Sequence, residues 1–414
     1  MKILLVGSGG REHALALGLH ADPACSSLHV APGNPGIAEF AQCHPVDISS
    51  NAEIVALAQE ISADLVVIGP EVPLVNGVAD DLRRLKIAVF GPSKAAAQLE
   101  GSKTFAKEVM ADAGVPTAHS FTCSTIAEYE KALDSFGAPY VVKDDGLAGG
   151  KGVVVTNDRQ EALDHAIACK RVVIEEYLNG PEVSLFGISD GISILAMQPA
   201  QDFKRAGDND SGLNTGGMGA YSPLPWAPSD IIDDTYKQVL APMIAEMNAR
   251  GTPFVGLLYA GLALTDHGVR VIEFNVRFGD PETQVLIPLL KTPLATLLLK
   301  AATAGLADEV LEWENDSAVT VVLAAEGYPS APKSGGAIST FPSIDHVQIF
   351  HAGTAVNGHD LVANGGRVLT VTGVGSDLTE ARDRAYRAIS QISLQGSFYR
   401  SDIALNASVA EKGN

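Results

Sequence analysis

The chain has few cysteines for its 414 residues: Cys25, Cys43, Cys123 and Cys169, with no CxxC spacing among them. This scattering argues against a zinc site or a disulfide framework and favours reduced, buried thiols. No apolar run approaches the roughly 20 residues of a membrane span. Residue 1 leads directly into an apolar strand without the layout of a signal peptide, so we expect a cytoplasmic protein.

Positive charge is also scarce, because 29 Lys and Arg residues face 49 Asp and Glu residues, for a net charge of −20. That balance disfavours nucleic acid or an anionic membrane as the main partner, and an anionic ligand would need a local basic pocket. HExxH and HxH patterns are missing from the sequence, so His13 and His351 are expected to be structural rather than metal ligands.

The turn after the first strand, Gly7-Ser-Gly-Gly-Arg-Glu-His13, resembles a dinucleotide fingerprint but has Glu12 where the third glycine belongs. No acidic residue ends the second strand, where Ala31 is followed by Pro and Gly. NAD binding is therefore disfavoured. The turn and the helix start still suit a single phosphate or a carboxylate, and a plain strand-to-helix turn is an equal alternative.

The order of short apolar strands and helices predicts an α/β protein of two or three domains. In residues 1–100 such strands alternate with helical stretches, which predicts a doubly wound parallel sheet with ligands at the carboxyl ends of its strands. The predicted strands there are residues 3–6, 28–31, 65–68 and 88–90, and the helices are 13–19 and 52–60.

A second unit, 101–304, and a third, 305–414, follow. The second contains a small subdomain at about 120–185 and a long polar loop at 207–219, and long loops are often functional. The elements predicted in these units are helices 103–113, 233–250 and 379–392, and strands 193–199, 257–264, 269–274, 319–324 and 368–374.

A glycine-rich hairpin at 143–152 is the strongest local signal. It joins two apolar strands, and its glycines let backbone N–H groups approach an anion closely while Lys143 and Lys151 supply positive charge. It differs from a P-loop, which needs a helix after the loop. We interpret it as a flap over a polyphosphate, and an ordinary exposed hairpin is the alternative.

Two further strands end in polar groups. The strand 172–178 carries Glu175, which suits an adenine edge, and Leu178, which suits its ring; solvated acids are the alternative. Along 271–282, alternation predicts Glu273, Asn275 and Arg277 on one face and Ile272 on the core face. Glu and Asn oxygens suit a hard cation, and Arg suits a carboxylate or phosphate.

The segments 201–205 and 214–219 are expected to add charges and backbone donors to the same cleft, with a flexible surface loop as the alternative. Taken together, these motifs resemble the ATP-grasp superfamily and, within it, the phosphoribosylamine–glycine ligase family. The resemblance also rests on Gly7-x-Gly-Gly-Arg-Glu-His-Ala14, Gly69-Pro-Glu-x-Pro-Leu74, Gln98-Leu-Glu-Gly-Ser-Lys103, Asn214-Thr-Gly-Gly-Met-Gly219, Phe278-Gly-Asp-Pro-Glu-Thr-Gln284 and Asn364-Gly-Gly-Arg367.

The resemblance implies a pre-ATP-grasp domain, an ATP-grasp unit with a mobile lid, and a small C-terminal α/β domain. It implies that ATP, glycine and 5-phosphoribosylamine give glycinamide ribonucleotide, ADP and phosphate through glycyl phosphate, an early step of purine synthesis. The expected cofactors are ATP as a substrate and Mg²⁺ or Mn²⁺. A monomer is expected, with transient pathway partners as a further possibility.

Carried onto this sequence, the family's functional roles fall on four groups of residues. Catalytic roles are implied for Arg277, Asp280, Lys204 and Asp202. ATP contacts are implied for Lys103, Lys143, Gly149, Gly150, Lys151, Gly152, Glu175, Tyr177, Leu178 and Glu182. Contacts to glycine or phosphoribosylamine are implied for Gly9, Gly10, Glu71, Thr215, Gly216, Gly217 and Gly279. The implied metal ligands are Glu273 and Asn275.

Three departures from related sequences concern the lid and the metal. Asp144 and Gly149 stand where the family usually has alanine, and the segment 162–171 is short, so lid closure is expected to differ. The strand 257–264 has no acid, so metal ligation would rest on Glu273, Asn275, phosphates and water. Alternative functions are a purine-pathway carboxylase, a non-catalytic nucleotide-binding regulator and, more remotely, a dinucleotide dehydrogenase.

Overall fold

The structure is a computed structural model that describes residues 1–147 and 152–411. Its N-terminal sheet is parallel, and apolar residues fill its strands because helices cover both faces. The elements are β1 (Lys2–Gly7), α1 (Gly10–Ala21), β2 (Ser27–Pro32), β3 (Gln42–Cys43), α2 (Asn51–Glu60), β4 (Leu65–Ile68), α3 (Glu71–Asn76), α4 (Val78–Arg84) and β5 (Ala88–Phe90). The strand order is β3-β2-β1-β4-β5, so the predicted parallel sheet is present, with β3 as an addition.

The lid follows two connecting helices, of which the second ends at Gly114 in the left-handed conformation (φ 67°) that glycine tolerates best. Its antiparallel sheet has the order β6-β9-β7-β8. An apolar cluster around Leu133 and Ile174 lies inside it, separate from the clusters of the body. The elements are α5 (Gln98–Gly101), α6 (Lys103–Ala113), β6 (Ser120–Cys123), α7 (Ile126–Phe136), β7 (Tyr140–Asp144), β8 (Val153–Thr156), α8 (Arg159–Cys169) and β9 (Val172–Glu175).

The body of the second unit is an antiparallel sheet in the order β11-β10-β16-β17. The predicted polar loop 207–219 is not one irregular loop, because β13 and β14 pair as a hairpin within it. The elements are β10 (Glu182–Asp190), β11 (Ile194–Ala196), β12 (Gln201–Asp202), β13 (Arg205–Gly207), β14 (Ser211–Asn214), β15 (Gly219–Ser222), α9 (Ile231–Thr235), a π-helical turn (Tyr236–Leu240), α10 (Ala241–Ala249), β16 (Val255–Thr265), β17 (Gly268–Asn275), α11 (Thr283–Leu286) and α12 (Leu294–Ala302).

The C-terminal sheet has the order β12-β15-β18-β22-β19, so two strands from the preceding unit complete it. Every residue of β18 is buried, and α13 packs against β18 and β22. The elements are β18 (Ser317–Ala324), β19 (Val347–His351), β20 (Thr354–Asn357), β21 (Asp360–Ala363), β22 (Arg367–Gly375), α13 (Leu378–Ile389) and α14 (Leu405–Glu411). Among the helices that the structure describes, none is both long and apolar enough to cross a membrane.

The N-terminal and C-terminal units meet at two buried histidines. The Nδ1 atom of His13 accepts a hydrogen bond of 2.9 Å from the backbone N–H of His351. Burial lowers the pKa of His13 to about 3, with a further contribution from His351, and burial lowers the pKa of His351 to about 4. Both rings are therefore neutral near pH 7, and His13 contributes a hydrogen-bond acceptor to the contact between the two units.

Candidate active site

A cavity of about 900 Å³ lies between the lid, the body, the N-terminal unit and the C-terminal unit. Its wall contains Lys143 and Gly152 of the flap hairpin together with Glu273, Asn275 and Arg277. The two strongest sequence signals therefore face the same space. A volume of this size suits a nucleotide and small substrates.

Most predicted site residues line this cavity. The lining includes Lys103, Lys143, Gly152, Glu175, Tyr177, Leu178, Glu182, Asp202, Lys204, Thr215, Gly216, Glu71, Glu273, Asn275, Arg277 and Asp280. The predicted residues Gly149, Gly150 and Lys151 lie outside the described residues. Gly9, Gly10, Gly217 and Gly279 are not part of the lining.

Two glycines of the first turn, Gly9 and Gly10, make capping and packing contacts. Glu12, which occupies the position of the missing third glycine, accepts a hydrogen bond of 2.7 Å from the Gly9 N–H and so caps α1 itself. A Cβ on Gly10 would lie 2.7 Å from the Gln284 side chain. Gly10 is thus a close-packing position between units, and its contact with a substrate stays a prediction.

Glu175 lies at the centre of a buried charge cluster under the lid. Its carboxylate pairs with Lys143 and, at 2.7 Å, with Lys107 of α6. Lys143 also donates a hydrogen bond of 2.9 Å to the Ile272 carbonyl, and Lys107 one of 2.9 Å to the Thr117 hydroxyl. The Glu175 carboxylate therefore holds Lys143 in place, and its contact with ATP stays a prediction.

A β-bulge changes the predicted alternation of β17. Gly261 pairs with Glu273 and Leu262 with Val271, so Ile272 has no partner on β16. The expectation that Ile272 faces the core was wrong, because the bulge turns it toward the cavity and frees its carbonyl for Lys143. Beyond the bulge the prediction holds, with Glu273 on the cavity wall and Phe274 buried.

The Glu273 carboxylate is surrounded by cations. Burial by itself would raise its pKa, but the charges of Lys143 and Lys204 outweigh burial and hold the pKa of Glu273 below its ordinary value. An ionised carboxylate oxygen beside the Asn275 amide oxygen is a donor set that suits Mg²⁺ or Mn²⁺. These two residues therefore fit the hard cation predicted from the sequence.

Arg277 is held by two carboxylates. Its guanidinium lies 3.3 Å from Glu71 and 3.2 Å from Glu100, and Glu100 also accepts a hydrogen bond of 2.8 Å from the Val276 N–H. Burial would lower the pKa of Arg277, but Glu100 and Glu71 raise it above its ordinary value. The Arg277 guanidinium is therefore a hydrogen-bond donor on the cavity wall that has a fixed position and a permanent charge.

Asp202, Lys204 and Glu182 form a second charged group across the cavity, in which Lys204 pairs with Glu182. Burial raises the pKa of Asp202 to about 7 against the opposing charge of Lys204, and the neighbouring Glu282 adds to the rise. In this group the negative charge of the carboxylates therefore exceeds the single positive charge of Lys204.

The loop at Gly216 is clamped by the C-terminal unit. Its N–H donates a hydrogen bond of 3.0 Å to the Tyr328 hydroxyl, and its carbonyl accepts one from Arg367. Arg367 also donates to the Asp280 carbonyl at 2.7 Å and to the Asp280 carboxylate at 3.0 Å. One arginine thus sets the spacing between the 215–217 loop and the Asp280 turn.

Comparison with known proteins assigns the whole chain. The profiles described as the N domain, the ATP-grasp (A) domain and the C domain of phosphoribosylglycinamide synthetase match residues 1–100, 101–283 and 318–406. A phosphoribosylamine–glycine ligase of Streptomyces coelicolor is 59% identical over 99% of this chain and 100% of that protein. One of Corynebacterium ammoniagenes is 54% identical over 100% of this chain and 99% of its own length.

The chain belongs to the phosphoribosylglycinamide synthetase family. A crystal structure of the Thermotoga maritima phosphoribosylamine–glycine ligase superposes with a TM-score of 0.85 at 34% identity and covers 98% of this chain and 100% of that one. A biotin carboxylase from Campylobacter jejuni, in complex with an ATP analogue, shares the fold at a TM-score of 0.75 and 16% identity, covering 100% of this chain and 95% of its own. The predicted fold class and family are confirmed.

Several residues that line the cavity were missed from the sequence. They are Arg11, Glu100, Lys107, Glu282 and Arg367. Lys107 follows Lys103 by one helical turn, and that spacing was the available signal. Glu100, Glu282 and Arg367 lie inside motifs quoted for the resemblance, but their partners are distant in sequence.

Proposed function

We propose that this cavity performs the family reaction. The chain is an ATP-dependent ligase that joins glycine to 5-phosphoribosylamine and releases glycinamide ribonucleotide, ADP and phosphate, a step of purine biosynthesis. The observation that carries the proposal is the shared cavity wall of Lys143, Glu273, Asn275 and Arg277. The shared wall supports the proposal because it combines lysine and arginine cations, which suit phosphates, with oxygen donors, which suit a metal ion.

The nucleotide half of the proposal uses the lid. Lys103, Lys143 and the flap at 149–152 bind the ATP phosphates, and Tyr177 and Leu178 hold adenine. Support comes from the exposure of Tyr177, which lines the cavity and is 47% exposed, leaving its ring available for stacking. Glu182 at the ribose completes this half, and Glu175 contributes through its hold on Lys143.

The acceptor half lies at the Arg277 and Asp280 turns. Arg277 and Gly279 orient the glycine carboxylate, whose oxygen takes the γ-phosphoryl group of ATP as the bond from that phosphorus to ADP breaks. The amine of phosphoribosylamine, held by Gly9, Glu71 and the 215–217 loop, then attacks the carbonyl carbon. The carbon–oxygen bond to phosphate breaks, and the amine loses a proton. Positioning and charge neutralisation carry most of the rate.

Metal and solvent complete the proposal. Glu273 and Asn275 would hold Mg²⁺ or Mn²⁺, which when bound neutralises phosphate charge. Asp202 and Lys204 face the transferred phosphoryl group, and Lys204 is the cation of that pair. An acyl phosphate hydrolyses in water, so the lid closes during turnover; its separate apolar core lets it move as a body. We also propose that the enzyme is a monomer in the cytoplasm.

An ADP-release assay tests the reaction directly. The complete mixture contains ATP, Mg²⁺, glycine and freshly made phosphoribosylamine, and each substrate is omitted in turn. Full ADP release is expected only when all are present. Release that depends on bicarbonate instead of glycine, or tight ATP binding without turnover in any mixture, would contradict the proposal in favour of a carboxylase or a regulator.

A further inference from the structure

Glu282 is a buried carboxylate in the cavity wall that has no role in the steps described above. Its side chain belongs to a residue only 2% exposed. The Oε1 atom accepts hydrogen bonds of 2.9 Å from the Tyr259 hydroxyl and 3.1 Å from the Ser184 hydroxyl. Those donors lie on adjacent strands of the body sheet, so the carboxylate has a fixed orientation.

The second oxygen, Oε2, has no hydrogen-bond donor within the part of the chain that the structure describes. It lies against the backbone of Gly279, where a Cβ would come within 2.5 Å of it. Glu282 lines the cavity, so this ionisable oxygen is available to accept a hydrogen bond from a ligand. The orientation of Glu282 therefore leaves one acceptor site open beside the turn assigned to glycine.

The surrounding charges indicate what kind of donor fits. Arg277 supplies a fixed positive charge on the same wall, and Glu282 is one of the acids that raise its pKa against the effect of burial. Asp202 lies within electrostatic range of Glu282, and the nearby positive charge of Lys204 does not fully compensate its burial. A small zwitterion, with its carboxylate toward Arg277 and a cation toward Glu282, matches this polarity.

We propose that Glu282 binds the ammonium group of glycine and thereby selects an α-amino acid over acids that lack an amine. This inference rests on the proposed function and names the residue that recognises the substrate within it. Ser184 and Tyr259 are positioning residues, because they hold Oε1 and direct Oε2 to the substrate. Replacing the charge should weaken glycine binding while leaving the nucleotide site intact.

The test compares Glu282→Gln with the wild type. The amide keeps the size and the acceptor for Ser184 and Tyr259 but removes the charge. We expect the KM for glycine to rise roughly 10- to 100-fold, because a hydrogen bond between charged partners is lost, and the KM for ATP to stay within about twofold. Titration calorimetry of glycine into the ADP complex should show the same weakening without turnover.

Glycolate carries a hydroxyl in place of the ammonium group of glycine. Assays with glycolate as the acid therefore test whether Glu282 selects for the ammonium group. The ratio of kcat/KM for glycine to that for glycolate should fall in Glu282→Gln by about the factor by which glycine binding weakens. Glu246→Gln, on α10 outside the cavity lining, is the matched control and should change neither value. A glycine KM within threefold of wild type in Glu282→Gln, with a loss confined to kcat, would overturn the inference.

Two checks separate the possible failures. If Glu282→Gln does not fold, as judged by its thermal melt, Glu282→Asp is tested in its place. Aspartate keeps the negative charge, but its shorter side chain holds the carboxylate farther from the substrate. Glu282→Asp should weaken glycine binding, and a folded Glu282→Asp with wild-type glycine affinity would overturn the inference. Wild-type enzyme that releases no glycine-dependent ADP would instead contradict the proposed function itself.

Discussion

The Nζ atom of Lys107 lies 2.7 Å from the Oε2 atom of Glu175 and joins helix α6 to the lid sheet. The other oxygen of Glu175 pairs with Lys143. When a buried carboxylate pairs with two lysines, its attraction for each lysine is weaker than when it pairs with one alone. Lys107 therefore influences how available Lys143 is to a phosphate.

Lys107→Met should consequently impair nucleotide use although Lys107 has no assigned substrate contact. Loss of one cation from a buried carboxylate costs about 1–3 kcal/mol and ties Lys143 more tightly to Glu175. We expect the KM for ATP to rise about tenfold, the glycine KM to change little, and the Tm to fall by a few degrees. Steady-state kinetics and a thermal melt measure these effects. Lys107→Arg should restore part of the loss, and an unchanged ATP KM in Lys107→Met would contradict the relationship.

Glu273→Ala should abolish activity without harming the fold. Removing a group that stabilises charge in the transition state costs about 100-fold or more in kcat, and Glu273 lies on the cavity wall rather than in the apolar core. Glycine-dependent ADP release measures the first expectation and circular dichroism the second. If Glu273→Ala releases ADP at a rate near that of the wild type, the assignment of Glu273 as a metal ligand is wrong.

Arg367→Lys should lower kcat while the KM for ATP stays within about twofold. Lysine lacks the planar fork with which Arg367 reaches both the Gly216 carbonyl and the two oxygens of Asp280. A loss of about 10- to 100-fold in kcat is expected from misplacing these two loops. Tyr328→Phe removes only the acceptor for the Gly216 N–H and should cost less. Equal effects in the two variants would show that the arginine fork has no special role.

The stability of the fold should decrease as the pH falls below about 6.5. His13 and His351 have folded-state pKa values of about 3 and about 4, whereas in the unfolded chain both titrate near about 6.5. The unfolded state therefore binds more protons between these values, and stability that is complete above about pH 6.5 is lost on acidification. Each histidine contributes a slope of up to about 1.4 kcal/mol per pH unit.

The variant His13→Asn isolates this effect. The asparagine oxygen can still accept the hydrogen bond from the His351 N–H, but it does not titrate. We expect the curve of Tm against pH between 7 and 5 to be flatter than that of the wild type. Parallel curves for the two proteins would rule out His13 as a source of the pH dependence.

Local sequence patterns predicted the parts of the site that depend on neighbouring residues. Alternation and turn glycines were sufficient to predict the flap hairpin with Lys143 and the row of Glu273, Asn275 and Arg277. The bulge at Ile272 was not predictable in this way, because it is a property of the register between β16 and β17.

Residues whose importance comes from distant partners were missed. Lys107 acquires its role only when the lid brings Glu175 to it, and Glu282 only when Tyr259 and Ser184 fix its orientation. A strand-end carboxylate such as Glu175 likewise has the same sequence signal whether or not lysines pair with it, as Lys107 and Lys143 do here. Tertiary contacts therefore decide which of several plausible polar residues face a ligand.

The C-terminal sheet has a practical consequence for dissecting the chain. Strands β12 and β15 cover one side of β18, which is apolar and buried along its whole length. A fragment of residues 305–414 expressed alone would leave that side of β18 bare, and an uncovered apolar edge recruits other chains into aggregates. Fragment complementation or truncation therefore requires a cut before residue 201, so that the donor strands remain with the sheet they complete.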